Sequence, residues 1–335
     1  MVIRGESAMT NEDFQRLLDA VKALTPTQRE ALDAALRGSP ASSPHAEHAA
    51  DASETANPVA EIESRFAADP RCPNCETAEK VGKWGSANGL RRYRCKACEV
   101  SFNCLTGTPL AQLHKRELWV ENAKALVDGL SLRKTAARIG VTVETAHRWR
   151  HRFLKEPKTL KAKKLEGTVE ADETFFLKSE KGSRKLTRPA RKRGGKAMKR
   201  GLSDEQVPVL IARDETKATT DAILPDRSAK SIGAVLKPVI DSHATLVSDG
   251  AQAYRAFANE ATILHVALNL SAGERTWGVY HIQNVNSYCS RLKSWMRRFN
   301  GVATKYLDSY LGWHRIKDLG GNIFSANGLV TAACG

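Results

Sequence analysis

Three observations in the 335-residue sequence predict a multidomain chain. Two C-x-x-C pairs predict a small zinc ribbon, and a helical pattern broken at a glycine predicts a helix-turn-helix after it. Short apolar runs alternating with polar helical stretches predict an α/β domain behind both. The length accommodates two or three domains of roughly 100–200 residues each.

Residues 1–38 read as a helical segment. Phe14, Leu17, Leu18 and Val21 fall at helical spacing, and Thr25-Pro26-Thr27-Gln28 starts a second helix with a capping box. This is the pattern of a helical hairpin or protein-contact module. Residues 39–66 read as a flexible linker, because their first two-thirds are rich in Ala, Ser and Pro and lack periodicity.

Charge divides the chain. Residues 1–70 carry 6 basic and 12 acidic side chains, whereas 71–335 carry 46 and 25, a net of +21. A basic body behind an acidic leader fits a polyanion binder. No apolar run has the roughly 18 residues that a spanning helix needs, so no membrane partner is expected. The N-terminus lacks a signal-peptide apolar core, and seven cysteines, an odd number, disfavour a complete disulfide framework. A reducing, cytoplasmic setting follows as the expectation.

The zinc ribbon is placed at 67–110. Cys72-Pro-Asn-Cys75 and Cys95-Lys-Ala-Cys98 are separated by 19 residues, the spacing of two knuckles that supply four thiolates. Closed coordination leaves no open position, so the Zn²⁺ would be structural, and its binding would drive folding of so small a module. Between the knuckles, Arg91, Arg92 and Arg94 interleave with Tyr93. They form either a phosphate-contacting edge or a solvated strand face.

The helix-turn-helix is placed at 111–156. Ala136 or Ala137 lets two helices approach, Gly140 permits the turn and Thr142 caps the next helix. Val143, Ala146, Trp149 and Phe153 give a buried stripe, which leaves Thr145, His147, Arg148, Arg150, His151 and Arg152 as a face for DNA. The other reading is a basic helical hairpin packed against the rest of the chain.

The α/β domain is placed at 165–320, with a tail at 321–335. Val169–Phe176 is a strand with Asp172 at its centre, and Leu246–Ser248 is a second apolar strand ending in Asp249-Gly250. Acids in such positions are costly unless they bind something, and two on adjacent strands can hold a divalent cation. Asp249-Gly250 is as easily a turn. Asn286 and Lys293 are seven apart, hence on one helix face. They would present a carbonyl oxygen and an ammonium together, or serve as an N-cap and a solvated lysine. Between residues 178 and 201 lie eleven Lys or Arg and the single acid Glu180, a basic insertion that includes Arg191 and Arg193.

In order, Arg92–Cys98, Phe102–Pro109, Thr145–His151, Val169–Thr174, Ser248–Gly250 and Asn284–Tyr310 resemble insertion-sequence transposases of the DDE superfamily, in the branch with an N-terminal zinc ribbon. The resemblance spans roughly residues 67–316. It implies an RNase H-like catalytic domain, Mg²⁺ (or Mn²⁺) as catalytic metal, and chemistry without a covalent protein intermediate. Water would cleave at the transposon end, and the freed 3′-hydroxyl would attack target DNA. Asp172 and Asp249 match the two aspartates, Asn286 the third ligand that is usually Glu, and Lys293 the downstream basic residue. His281, five residues before Asn286, matches a recurrent histidine. A subgroup with Asp-Asp-Asn-Lys is part of the family, and the Asn should weaken a second metal. Glu274 is a rival third acid, off the family position.

The basic insertion would clamp the DNA backbone without sequence preference. Implied partners are double-stranded DNA, as transposon ends and target, and further copies of the chain in a homodimer or larger synaptic oligomer. A bacterial, nucleoid-associated setting goes with that. The rivals are a DNA-binding regulator or decayed transposase that does not cut, and a nuclease of the same fold that does not join.

Overall fold

The computed structural model describes residues 57–191, 195, 197–199 and 203–334. The helical segment 1–38, most of the linker and Arg193 lie outside the described residues.

The first described element corrects the linker. Helix α1, Pro58–Ala68, starts inside it, with the Asn57 side chain accepting from the Val59 N–H and Pro58 at the first position. Val59, Ile62 and Phe66 fall on one face and pack inward, a periodicity that the Ala- and Ser-rich residues before it mask.

Three short antiparallel strands follow, β1 (Val81–Ala87), β2 (Leu90–Cys95) and β3 (Ser101–Phe102), in that spatial order. Asn88 and Gly89 join the first two, both with positive φ, as a two-residue hairpin turn requires. Tyr93 and Phe102 stack at 6.0 Å, and Phe66 meets Tyr93 edge-on at 5.4 Å. So α1 closes the small core that holds the cysteines.

Next come α2 (Trp119–Val127), α3 (Leu132–Ile139) and α4 (Val143–Phe153). Ser131 and Thr142 cap α3 and α4 through the N–H groups of Lys134 and Thr145. Gly140 ends α3 at φ 66°, in the left-handed region that favours glycine. Ala146, Trp149 and Phe153 are buried as the pattern demands, but Val143 is exposed.

The third part is a five-stranded sheet of β4 (Thr168–Leu177), β5 (Gln206–Asp214), β6 (Thr219–Ile223), β7 (Thr245–Ser248) and β8 (Leu264–Ala267). The spatial order is β6-β5-β4-β7-β8. β4, β5 and β6 pair antiparallel, whereas β7 and β8 run parallel to β4. Alternation sorts the side chains by face. Val169, Ala171, Leu210 and Leu246 pack with α5 (Ala229–Leu236) and α6 (Gln252–Ala261). Val209, Ile211 and Val247 face α7 (Gln283–Arg297) and α8 (Leu307–Leu319). A two-strand hairpin, β9 (Thr276–Trp277) and β10 (Tyr280–His281), leads into α7.

Residues 321–335, expected as a tail, include helix α9 (Ala326–Ala332), which packs on α1 and α2 with Leu329 and Val330 buried. One apolar cluster runs from Ile62 through Trp119 and Phe153 to Trp313. The helices after the ribbon are thus seated on the sheet domain.

Candidate active site

β4 places the first acids. Glu170 and Asp172 both lie on the α7 side of the strand, opposite Arg213 and Ile211 of β5. Asp249 leaves the turn just past β7, which pairs with β4 up to Val247–Glu170. Its Oδ1 accepts from the Ala251 N–H at 3.0 Å, and Gly250 takes φ 81° to make the turn. Burial pushes the Asp172 carboxyl up to about 6, against the pull of the Glu173 N–H. The negative charge of Asp249 raises it further, and the ammonium of Lys293 opposes the rise. The structure therefore gathers Asp172, Asp249 and Lys293 into one electrostatic neighbourhood. Glu173, on the other face, is also raised by burial, with the Tyr254 hydroxyl opposing the rise and the charge of Asp249 adding to it.

Helix α7 places the remaining candidates. Val285, Tyr288, Cys289 and Leu292 are its buried face, and Asn286 and Lys293 are exposed beside it, two turns apart. Among the described residues Asn286 has no side-chain partner, so its carbonyl oxygen is free to ligate. Burial, with Asp172 adding, pushes the Cys289 thiol up to about 12. Cys289 is thus an inert neighbour of the site. Glu274 accepts from the Asn269 N–H at 3.2 Å and braces its own loop.

His281 points to a residue that sequence reasoning missed. Its Nδ1 lies 3.1 Å from Glu170 Oε1. The Glu170 carboxylate, 3% exposed, also accepts from Asn284 Nδ2 at 2.7 Å and the Val285 N–H at 2.9 Å. A buried carboxylate at a helix N-terminus satisfies orphan N–H groups and favours the dipole. Glu170 thus pins the start of α7 to the strand that carries Asp172. The available signal was its position two residues before Asp172, on the same strand face.

The four cysteine sulfurs all lie within 4.8 Å of one another. Cys72 and Cys98 are 3.5 Å apart, and Cys75 and Cys95 are 3.6 Å apart. Zinc–thiolate bonds of about 2.3 Å in a tetrahedron set sulfur–sulfur edges of about 3.8 Å, so the cluster fits zinc.

The expected DNA-facing residues fare unevenly. Arg91 is exposed and Arg92 is half-buried, while Arg94 lies over the Trp84 ring at 4.9 Å. Arg148 is exposed in the middle of α4, and the Thr145 hydroxyl is engaged by Thr142. Arg150 corrects the expectation: it is 2% exposed and donates to Leu130 O at 2.6 Å. His151 stacks on Tyr306 at 3.8 Å, and burial holds its pKa down at about 4. His147 meets the same tyrosine edge-on at 5.5 Å. Arg150 falls on the buried stripe of α4 with Ala146 and Phe153, whereas the two histidines are covered by Tyr306 and Tyr310, a tertiary contact that helix periodicity does not reveal. Arg191 is likewise held, by Glu205 at 3.1 Å and Lys178 O at 2.6 Å.

Residues 164–313, which hold the five-stranded sheet, α7 and the first half of α8, match a family model described as the ISXO2-like transposase domain. An uncharacterized protein in transposable element ISH50 of Halobacterium salinarum is 29% identical over 258 residues, 72% of this chain and 82% of that protein. Among solved structures, a Mos1 transposase paired-end complex with left transposon end aligns over 62% of this chain and 78% of its own, with 12% identity and a TM-score of 0.22. A pre-cleavage Mos1 transpososome covers 59% and 75%, with 12% identity and a TM-score of 0.20. Superpositions that loose carry no weight for fold or partner.

Proposed function

We propose that this chain, which carries an ISXO2-like transposase domain of the insertion-sequence type, binds its element's DNA ends and cuts and joins strands at a site built from Asp172, Asp249 and Asn286. The observation that carries this reading is the convergence at Asp172. β4 and β7 pair side by side and carry Asp172 at the centre of one and Asp249 just past the end of the other, and the charge of Asp249 raises Asp172 while Lys293 of α7 counters it. An RNase H-like sheet would supply that arrangement.

The residues suit a divalent cation. Asp172 and Asp249 repel each other across a half-buried site, and a cation would relieve that repulsion. Their carboxylates and the Asn286 carbonyl would hold Mg²⁺ or Mn²⁺, which when bound would polarise the scissile phosphodiester and the attacking oxygen. Lys293 would hold a non-bridging phosphate oxygen as charge builds on it. Glu170 and His281 act one step back, by fixing where α7 starts and so where Asn286 sits. Arg91, Arg92 and Arg148 remain available to DNA phosphates. Zinc in the four-cysteine cluster would hold the ribbon together. Two ends must be joined, so a homodimer or larger synaptic assembly in the cytoplasm, on nucleoid DNA, completes the reading. Among the described residues no helix is long and apolar enough to cross a membrane.

A strand-transfer assay tests this. The purified chain is incubated with Mg²⁺, a target plasmid and its own flanking DNA as donor, beside Asp172→Asn. Joined products should form with the unmodified chain alone, and the variant should retain end binding while losing at least about 10²-fold in rate. Cleavage without joining would indicate a nuclease. One observation favours a binding-only regulator or relic: Asn286 leaves the site one carboxylate short of the usual three. End binding with neither cleavage nor joining, unaffected by Asp172→Asn, would establish that second reading instead.

A further inference from the structure

Where α4 meets the segment joining α7 to α8, a cavity of about 550 Å³ opens. That is the size of a small-ligand pocket, roughly 300–1,000 Å³, and far too small for a duplex. Four cationic side chains line it, Arg133, Arg150, Lys181 and Arg298, and no Asp or Glu does. Lys181 is occupied, donating to the carbonyls of Phe299, Asn300 and Gly301. Arg133 and Arg298 are exposed and, among the described residues, form no ion pair.

Arg150 is the informative member. Only 2% of it is exposed, and its Nη2 donates to Leu130 O at 2.6 Å and to Thr135 Oγ1 at 3.3 Å. Its Nε has no partner, and among the described residues no carboxylate pairs with it. The Trp313 ring at 5.2 Å offsets part of the charge. A buried guanidinium without an anion is costly, and this one borders an open cavity. Aromatic rings share the same walls. His151 stacks on Tyr306 with 20° between the planes, and His147 is edge-on to His151 at 4.5 Å. Burial and the nearby positive charges keep His151 neutral, and the Lys305 ammonium lies 4.9 Å from the centre of the Tyr306 ring, so the aromatic wall sits inside a positive field.

Anion-seeking guanidiniums next to aromatic surface are the two halves of a single-strand site. We propose that this cavity takes one nucleotide of an unpaired DNA strand, with its phosphate at Arg150, Arg133 and Arg298 and its base among His147, Tyr306 and Phe299. The inference rests on the DNA-joining reading above and adds to it a second DNA site, away from the acids. A transposon end frayed or nicked during cutting would supply such a strand.

The test is fluorescence anisotropy on the full zinc-loaded chain, with a labelled short single strand and, separately, a labelled duplex of the element's end. The variants are an Arg133→Gln/Arg298→Gln double and Tyr306→Leu, both checked for unchanged thermal unfolding. Single-strand affinity should fall by at least about tenfold in the double variant and about fivefold in Tyr306→Leu. Duplex affinity should stay within about twofold in both. Inorganic phosphate should compete far more weakly than unlabelled strand. Unchanged single-strand binding, an equal fall for duplex, or phosphate competing as well as the strand would each overturn the proposal. If the unmodified chain joins strands while these variants bind single strand normally, only the cavity assignment fails. If it binds neither form of DNA, the DNA-joining reading fails first.

Discussion

The two ends of α7 are held by opposite charges from one stretch of chain, and they differ in one respect, access to water. At the N-terminal end Glu170, inside β4 and 3% exposed, accepts from the Val285 N–H and the Asn284 side chain and meets His281. Past the C-terminal end Lys181, four residues beyond β4 and solvent-exposed, donates to the carbonyls of Phe299, Asn300 and Gly301. Each sign suits its end of the helix dipole. Water can replace the lysine and reach the exposed Asn284 amide, but it cannot reach the Val285 N–H that the glutamate serves. The same device therefore differs in importance by burial alone, and the stronger anchor lies at the end that carries Asn286.

The sharpest way to break this comparison is Glu170→Ala. It leaves the Val285 N–H unsatisfied in a buried place, while water takes over the exposed Asn284 amide, at a cost of about 2 kcal/mol in urea unfolding. Strand transfer should fall with it, because the start of α7 loses its fixed position. Glu170→Gln keeps an acceptor of the same shape and should recover most of the stability. A loss below about 1 kcal/mol for Glu170→Ala would show that the buried anchor does not hold the helix.

Between its ends α7 is held by apolar packing, and a pH titration probes that stretch. His314 of α8 meets the Tyr288 ring edge-on at 4.9 Å and packs near Trp295. Burial pushes its pKa down to about 4. The unfolded chain then binds a proton below about pH 6.5 that the folded chain refuses, so stability is full above that value. It is lost progressively as pH falls toward 4. The expected loss from this group is roughly 2 kcal/mol between pH 7 and 5. His314→Phe should flatten that part of the stability curve. An unaltered slope in the variant would assign the acid sensitivity to other groups.

What was legible in the sequence follows the same division. Cys72, Cys75, Cys95 and Cys98 were readable because metal geometry constrains local spacing, and they do converge. The positions of Asp172 and Asp249, inside one strand and just past the end of another, were readable from the apolar runs around them, and the family resemblance paired them. Glu170 carries the same signal but lacks a motif partner, since its partners lie 114 and 115 residues further on. Arg150 was misread for a different reason. Its charge counted it among the DNA-facing residues, yet it lies four after Ala146 and three before Phe153, on the buried stripe, with Leu130 and Thr135 as acceptors and Trp313 of α8 beside it. Helices α1 and α9 were hidden by composition, since Ala- and Ser-rich neighbours dilute the stripe of Val59, Ile62 and Phe66 and the pair Leu329 and Val330.

The weakest effect belongs to the exposed anchor, and it sharpens the comparison most. Lys181→Ala removes one ammonium from three carbonyls that water can then solvate, so the expected loss is about 0.5 kcal/mol. High salt should erase even that, because the interaction is screened at the surface. The penalty of Glu170→Ala should be nearly independent of salt, since ions cannot enter the space that the carboxylate leaves. Unfolding both variants at low and high ionic strength therefore separates charge from burial. Equal salt sensitivity at the two ends would mean that dipole complementarity, and not exclusion of water, sets how firmly α7 is held.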